Sequence, residues 1–426
     1  MALTKLITDL IDGDLGGGTT WVSDPKTANF TAVAGEGYFI NTTSTAITVT
    51  LPSSPTAGDE VSIIDYGANA STNNITITSS DNIEGASDDL VLSTDKVSKT
   101  LVYSDATKGW LVTTDAGAGA AAADQAITVD FLVVAAGGTG GLPVSTSNYG
   151  GGGGAGGLRT SYGSISGGGA SAESSLDLLT NQDYIVSVGA GAAGHTADNR
   201  GNSGGDSRFH TIISIGGGGG GSQMNQGTQA GKTGGSGGGG GYHDTTQGGG
   251  SGTLGQGYDG GDGGANVNRS GGGGGAGEVG GTGTTNDGGD GLAVNILNAT
   301  NAASESVGEV SGSDVYYAGG GAGTIQVNYS TASGGLGGGG DGSVYNGTSQ
   351  TPGTANTGGG GAGGGVNKAG QTGGSGVVII RYSSSFLLLE NTIGGNVLTF
   401  NTYTEGSDKV SVFTAGENGT IQFTAV

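Results

Sequence analysis

Few residues in this chain have the types and spacing that chemistry requires. Gly231-Lys232-Thr233 has the ending of a phosphate-binding loop. That loop wants a glycine five positions earlier, where Gln226 stands, with a strand leading in and a helix leading out. Neither pattern is present. Asp259 and Asp262, and then Asp287 and Asp290, sit among glycines that would let carboxylates converge on calcium. The nonapeptide calcium repeat fails here, because Ala293 stands where its next Asp belongs, and the plainer expectation is solubilising carboxylates in turns. His195, His210 and His243 are the only histidines. His243 and Asp244 are adjacent, and adjacent side chains of an extended chain point apart. The expectation is therefore no catalytic residue, no bound cofactor, no metal and no enzyme activity.

Recognition has better support. Aromatic rings with a polar tip give rigid contact area. Tyr242 with His243 and Asp244, then Tyr258, Arg269, Tyr316, Tyr317, and Tyr345 with Asn346 are the candidate receptor-binding residues. Some of these rings could instead pack on glycine faces.

All of them lie in one stretch. Most of the 101 glycines fall between Gly137 and Gly376. A flexible linker is one reading of such composition. Against it stand strand-like segments such as Tyr184-Ile185-Val186-Ser187-Val188, the recurring tyrosines, and apolar runs at both ends that look able to pair. Ordering glycine costs upwards of about 1–2 kcal/mol per residue. A left-handed three-fold extended helix leaves its N–H and C=O groups pointing sideways, to be satisfied only by neighbours. Without side chains, such helices can stack. Collagen is excluded by runs such as Gly237 to Gly241 and by only 5 Pro. A bundle of polyglycine II-type helices is expected, with an excursion over 216–376.

The wider composition agrees. Hydrophobic residues make up 33%, too few for one large ordinary core. The formal net charge of −23 argues against nucleic acid and anionic membranes as partners. There is no Cys for a disulfide or thiolate. No run approaches a membrane span, and Met1 to Lys5 do not open a signal peptide.

The chain divides as follows. Residues 1–27 are an attachment segment in which Leu3, Leu6, Ile7, Leu10 and Ile11 trace either a short amphipathic helix or a frayed turn. Residues 28–114 alternate like the strands of a β-sandwich. Residues 115–126 are an Ala/Gly hinge. Residues 127–382 form a glycine-rich domain, with a β base built from 127–135, 184–188, 209–215 and 377–382. Residues 383–426 are a small β unit that packs on the base or on a second subunit. The fold class is mainly β with little α-helix.

The run Gly37-Tyr38-Phe39-Ile40, then Thr48 to Pro52, Gly58-Asp59-Glu60-Val61 and Gly109-Trp110, resembles a β module of bacteriophage tail fibres, notably of marine phages. Val129 to Ala135, Gly150 to Ser161 and Gly373 to Tyr382 resemble the glycine-rich domain of such proteins. In glycine usage alone, the chain is also similar to the distal adhesins of T-even phages. The resemblance implies a virion tail-fibre or tip protein, made in the host cytoplasm. It implies a homo-oligomer, a trimer, joined to other tail proteins through its N-terminal segment. Loops of the glycine-rich domain would bind a bacterial surface glycan or outer-membrane protein, without membrane insertion. A purely structural fibre or collar, a glycan-depolymerising fibre and an ice-binding protein are the alternatives. Deleting 237–270 is expected to leave a folded protein that no longer adsorbs.

Overall fold

The computed structural model describes residues 19–113, 124–143, 149–195, 199–222, 230–242, 246–264, 269–282, 285–325, 331–343, 349–365, 368–391 and 397–426. The N-terminal helix or turn over 3–11, and most of the hinge, lie outside these. The chain forms two compact units, 1–123 and 124–426.

The first unit is built of β1 (Thr20–Lys26), β2 (Phe30–Thr31), β3 (Glu36–Ile40), β4 (Ile47–Thr50), β5 (Glu60–Asp65), β6 (Ile75–Thr78), β7 (Leu90–Leu92), β8 (Ser98–Asp105) and β9 (Gly109–Thr113). Two sheets face each other, in orders β1-β3-β5-β8-β9 and β2-β4-β6-β7. The alternating pattern does bury two inward faces: Tyr38, Ile40, Val61 and Ile63 come from one sheet, and Ile47, Val49, Ile75 and Ile77 from the other. The connectivity differs from that of a hairpin-built sandwich. β1, β3 and β5 pair in parallel, and so do β2, β4 and β6. The chain thus coils from sheet to sheet, and each turn stacks on the last, with Ile47 beside Ile75 and Val49 beside Ile77. β7, β8 and β9 close the coil with antiparallel pairs. Period-2 alternation is identical in both topologies, so the sequence could not separate them. The coil also begins before residue 28, with Val22 opposite Tyr38.

Asp65 closes the third turn. It is 3% exposed, accepts from Thr42 Oγ1 at 2.6 Å, and receives the backbone N–H groups of Lys96 at 3.0 Å and Ala70 at 3.2 Å.

The second unit starts with β10 (Ala126–Val134), β11 (Leu158–Thr160), β12 (Leu176–Leu179), β13 (Tyr184–Ser187), β14 (Ser207–Phe209) and β15 (Ile212–Ser214). β16 (Leu292–Ala293), helix α1 (Ala299–Glu305), β17 (Glu309–Ser311) and β18 (Asp314–Tyr317) form an insertion. β19 (Val377–Ser383), β20 (Phe386–Asn391), β21 (Thr399–Glu405), β22 (Asp408–Ala415) and β23 (Gly419–Ala425) complete it. The two apolar runs that bracket the glycine stretch pair antiparallel, from Val129 opposite Tyr382 to Val134 opposite Val377. The tail is woven into the base: β22 pairs with β19, and β23 with β13. Two cores result. One lies between the sheets around Phe131, Val186, Phe209, Phe413 and Phe423. The other lies under the insertion, around Leu132, Leu158, Ile296, Tyr317 and Val412.

Helix α1 is absent from the sequence reading. Asn298 caps it, accepting from Asn301 N at 2.9 Å, and Ser306 ends it in a left-handed conformation. Arg381 ties the insertion to β19. It pairs with Glu405 at 3.0 Å and Asp408 at 2.9 Å, and donates to the Ile296 carbonyl.

Candidate functional site

The glycine runs continue directly from the base strands, and their hydrogen bonds repeat every third residue. From Ala135 onward, the N–H groups of 135, 138 and 141 donate to the carbonyls of Gly157, Gly154 and Gly151. Those of 136, 139 and 142 donate to Gly205, Asn202 and Asn199, and those of 137 and 140 to Gly374 and Gln371. All of these bonds are 2.8–3.0 Å long. This is the signature of a three-residue turn, with one group aimed at each of three neighbours.

Segment 150–157 lies inside the stack. Its N–H groups donate to segments around Gly361, Gly218 and Gly271, and its carbonyls accept from Gly138, Gly239 and Gly321. Every side is occupied by backbone. A Cβ on Gly152 would lie 1.9 Å from the Gly321 carbonyl oxygen, and one on Gly151 2.1 Å from that of Gly239. The longest glycine runs are therefore the enclosed ones. The three-fold network also starts at Ala135 and includes residues of 189–195 and 199–205, so it is wider than the 216–376 excursion read from sequence.

At the edge of the stack, N–H groups face positions where no neighbouring helix lies among the described residues. Carboxylates fill them. Asp259 and Asp262 accept from Gly252 and Gly249 at 2.8 and 2.9 Å. Asp287 and Asp290 accept from Ser333 and Leu336 at 2.7 and 2.9 Å. Their spacing of three is the turn of the helix itself. Among the described residues, no group of three or more His, Asp and Glu could hold a metal ion. Gly231-Lys232-Thr233 is likewise part of the stack, with Gly231 N bonded to Gly248 O and Lys232 N to Gly219 O.

The register brings the described ends of the helices together at two ends. One end meets the base. At the other, a rim gathers Tyr149, His195, Tyr242, Gly264, Arg269, Thr324 and Ile325. The Tyr149 and Tyr242 rings are 5.3 Å apart, and Tyr242 N donates to Tyr149 O at 3.1 Å. Arg269 bridges both Gly264 and Ile325. Ser270 Oγ donates to Gly150 O at 2.7 Å, and Thr324 Oγ1 to Gly364 O at 3.0 Å. His195 Nε2 lies 3.0 Å from Gly140 O. Burial pushes the imidazole below its ordinary value, the Lys232 cation adds to that, and the Gly140 carbonyl opposes it.

The candidate residues separate accordingly. Tyr242 and Arg269 stand at the rim, each half-buried. His243, Asp244, Tyr345 and Asn346 lie outside the described residues. Tyr258 sits at the base end, its hydroxyl 2.5 Å from where a Cβ on Gly169 would be. Tyr316 and Tyr317 belong to β18, also at the base. Tyr317 is fully buried in the core under the insertion, and burial pushes its phenol above the usual range. It is corrected from contact residue to core residue: alternation along β18 sends it inward and Tyr316 outward. Tyr149 was missed. The available signal was its position directly before the Gly150 run, the mirror of Tyr242 directly after Gly241. Deleting 237–270 is also corrected as a test, because Gly239 and Gly271 are direct partners of the enclosed helix.

Residues 113–383 match the glycine-rich domain family. The chain belongs to that family. The match ends with β19, so β22 and β23, which complete the sheets of this glycine-rich domain, fall beyond it. No significant match to a curated protein was found.

Proposed function

We propose that this glycine-rich domain protein is a non-enzymatic tail-fibre or tail-tip component of a bacteriophage, which binds the bacterial surface through the rim of its polyglycine stack. The observation that carries the reading is the meeting of Tyr149 with Tyr242, and of Arg269 with Gly264 and Ile325, at the end of the stack opposite the base. The flat sides of the stack offer repeating backbone, whereas connections can vary freely on a fixed platform. The tail-fibre resemblance of the first unit and of the glycine bookends supports the viral setting. The proposal includes a homotrimer, for which Trp21 and Tyr66, 41% and 61% exposed in the first unit, offer apolar surface. Several weak contacts would then act together.

The test uses fluorescently labelled full-length protein and a panel of marine bacterial isolates. Binding to some isolates, lost when 243–245 and 265–268 are replaced by Gly-Ser sequences of equal length, is the expected result. Absence of binding to every isolate would favour a purely structural fibre piece. Release of reducing sugar from host polysaccharide would favour a depolymerase.

A further inference from the structure

A groove of about 480 Å³ lies where the base sheet meets the start of the stack. Arg208, Asp206, Glu417, Val188 and Ile213 stand on its walls. Strand periodicity explains the placement. Ser207 and Phe209 of β14 turn into the core, so Arg208 faces the other way. It lies between Ser187 of β13 and Ile213 of β15. Asp206, two residues earlier, comes to the same groove. The two side chains carry opposite charges, yet among the described residues neither makes an ion pair. Each is held elsewhere by a single atom. Arg208 Nε donates to the His210 carbonyl at 2.6 Å, and Asp206 Oδ1 accepts from Gly216 N at 2.8 Å. The Nη groups of Arg208 and Oδ2 of Asp206 make no hydrogen bond among the described residues.

We infer that this groove binds a small zwitterion, an α-amino acid with an apolar side chain. The ligand carboxylate takes the Nη edge of Arg208, a charge-assisted and bidentate contact. The ligand ammonium takes Asp206 Oδ2, and Glu417 adds to the negative wall. Ile213, 40% exposed, and Val188 receive the side chain. A simple anion would meet Asp206 and Glu417, and a simple amine would meet Arg208. A ligand with both charges close together answers both groups. The volume falls within the range of about 300–1,000 Å³ found for small-molecule sites. The groove lies at the base, away from the rim, and the inference does not rest on the surface-attachment reading.

Saturation-transfer NMR on the full-length chain tests it, with L-valine as the probe. Glycine, propionate, propylamine and the dipeptide Val-Val, which sets its charges further apart, are the comparisons. Valine should receive saturation and bind about tenfold more tightly than propionate or propylamine. Arg208→Gln keeps a donor for the His210 carbonyl, and Asp206→Asn keeps an acceptor for Gly216 N. Each should weaken valine binding about tenfold with the melting temperature unchanged. Ile213→Ser should weaken valine more than glycine. The inference is overturned if valine does not bind, if propionate, propylamine or Val-Val binds as tightly, or if both charge variants bind valine like the parent. Should a charge variant fail to fold, Ile213→Ser, at an exposed position, still decides: equal weakening of valine and glycine, or none of either, removes the amino-acid assignment.

Discussion

At the residue scale, the edge carboxylates explain an acidic composition that looks like simple solubilisation in the sequence. Several unpaired N–H groups at the edge of the stack take an anionic acceptor, and charge-assisted bonds are the stronger kind. Asp259→Ala combined with Asp262→Ala should cost about 1–3 kcal/mol and speed amide exchange at Gly249 and Gly252. The double Asn variant, which keeps an acceptor, should recover most of the loss. Equal exchange in all forms would show that water serves as well. In the first unit, Asp65→Ala orphans the Thr42 hydroxyl and two backbone donors and should destabilise that unit by about 2–4 kcal/mol, read from its urea midpoint. His195 gives a pH dependence. Its folded-state affinity for a proton is below that of the unfolded chain, first through burial and then through Lys232. The unfolded chain therefore holds more protons below about pH 6.5, and stability falls as the pH drops through that value, levelling below the folded pKa. His210 shifts the same way, through burial and Arg208. His195→Gln, which retains a donor for Gly140 O, should make the fall between about pH 7 and 5 shallower. An unchanged urea-midpoint profile would remove His195 from the account.

At the element scale, each glycine helix is too costly to order alone. One backbone hydrogen bond contributes about 1 kcal/mol net, against upwards of about 1–2 kcal/mol of backbone entropy per residue. The base supplies the difference by fixing where the first and last helices start: β10 runs into 135–142 and β19 receives 368–376. Phe131, fully buried in β10, anchors that start. Phe131→Ala should cost about 3–5 kcal/mol and loosen amide protection across the stack, well beyond β10. Loss confined to the sheet would mean the stack holds itself. Much of this level was legible. The apolar bookends, the strands of the base and the need for side-to-side bonding all follow from residue types. Parallel coiling in the first unit was not, because alternation fixes faces and leaves partners open. Nor was α1, a seven-residue helix whose one cap, Asn298, has many equivalents in an Asn-rich chain. Of the candidate site, position relative to the glycine runs marks Tyr149 and Tyr242 as rim residues, whereas burial of Tyr317 depends on an insertion core that no local pattern announces.

At the scale of the glycine-rich domain, enclosure and variability are segregated. Segment 150–157 touches neighbours on every side, so nothing larger than the occasional alanine, such as Ala155, is accommodated. Gly152→Ala places a methyl group 1.9 Å from the Gly321 carbonyl oxygen, a backbone atom that cannot rotate away. Overpacking of this kind costs about 1–3 kcal/mol when side chains can adjust, and more is expected where only backbone can move. Moving the helix toward one neighbour breaks bonds to the others, so the loss should spread to Gly218, Gly271 and Gly361, its hydrogen-bond acceptors on three sides. Hydrogen exchange resolved by residue would show this as faster exchange in all three segments together. The rim should behave in the opposite way. Replacing 243–245 with a Gly-Ser sequence leaves every residue of the enclosed helix in place, so the melting temperature should hold while surface binding changes. If Gly152→Ala left protection intact, or the 243–245 replacement unfolded the domain, stability and recognition would share the same residues, and the separation of platform from rim would be wrong.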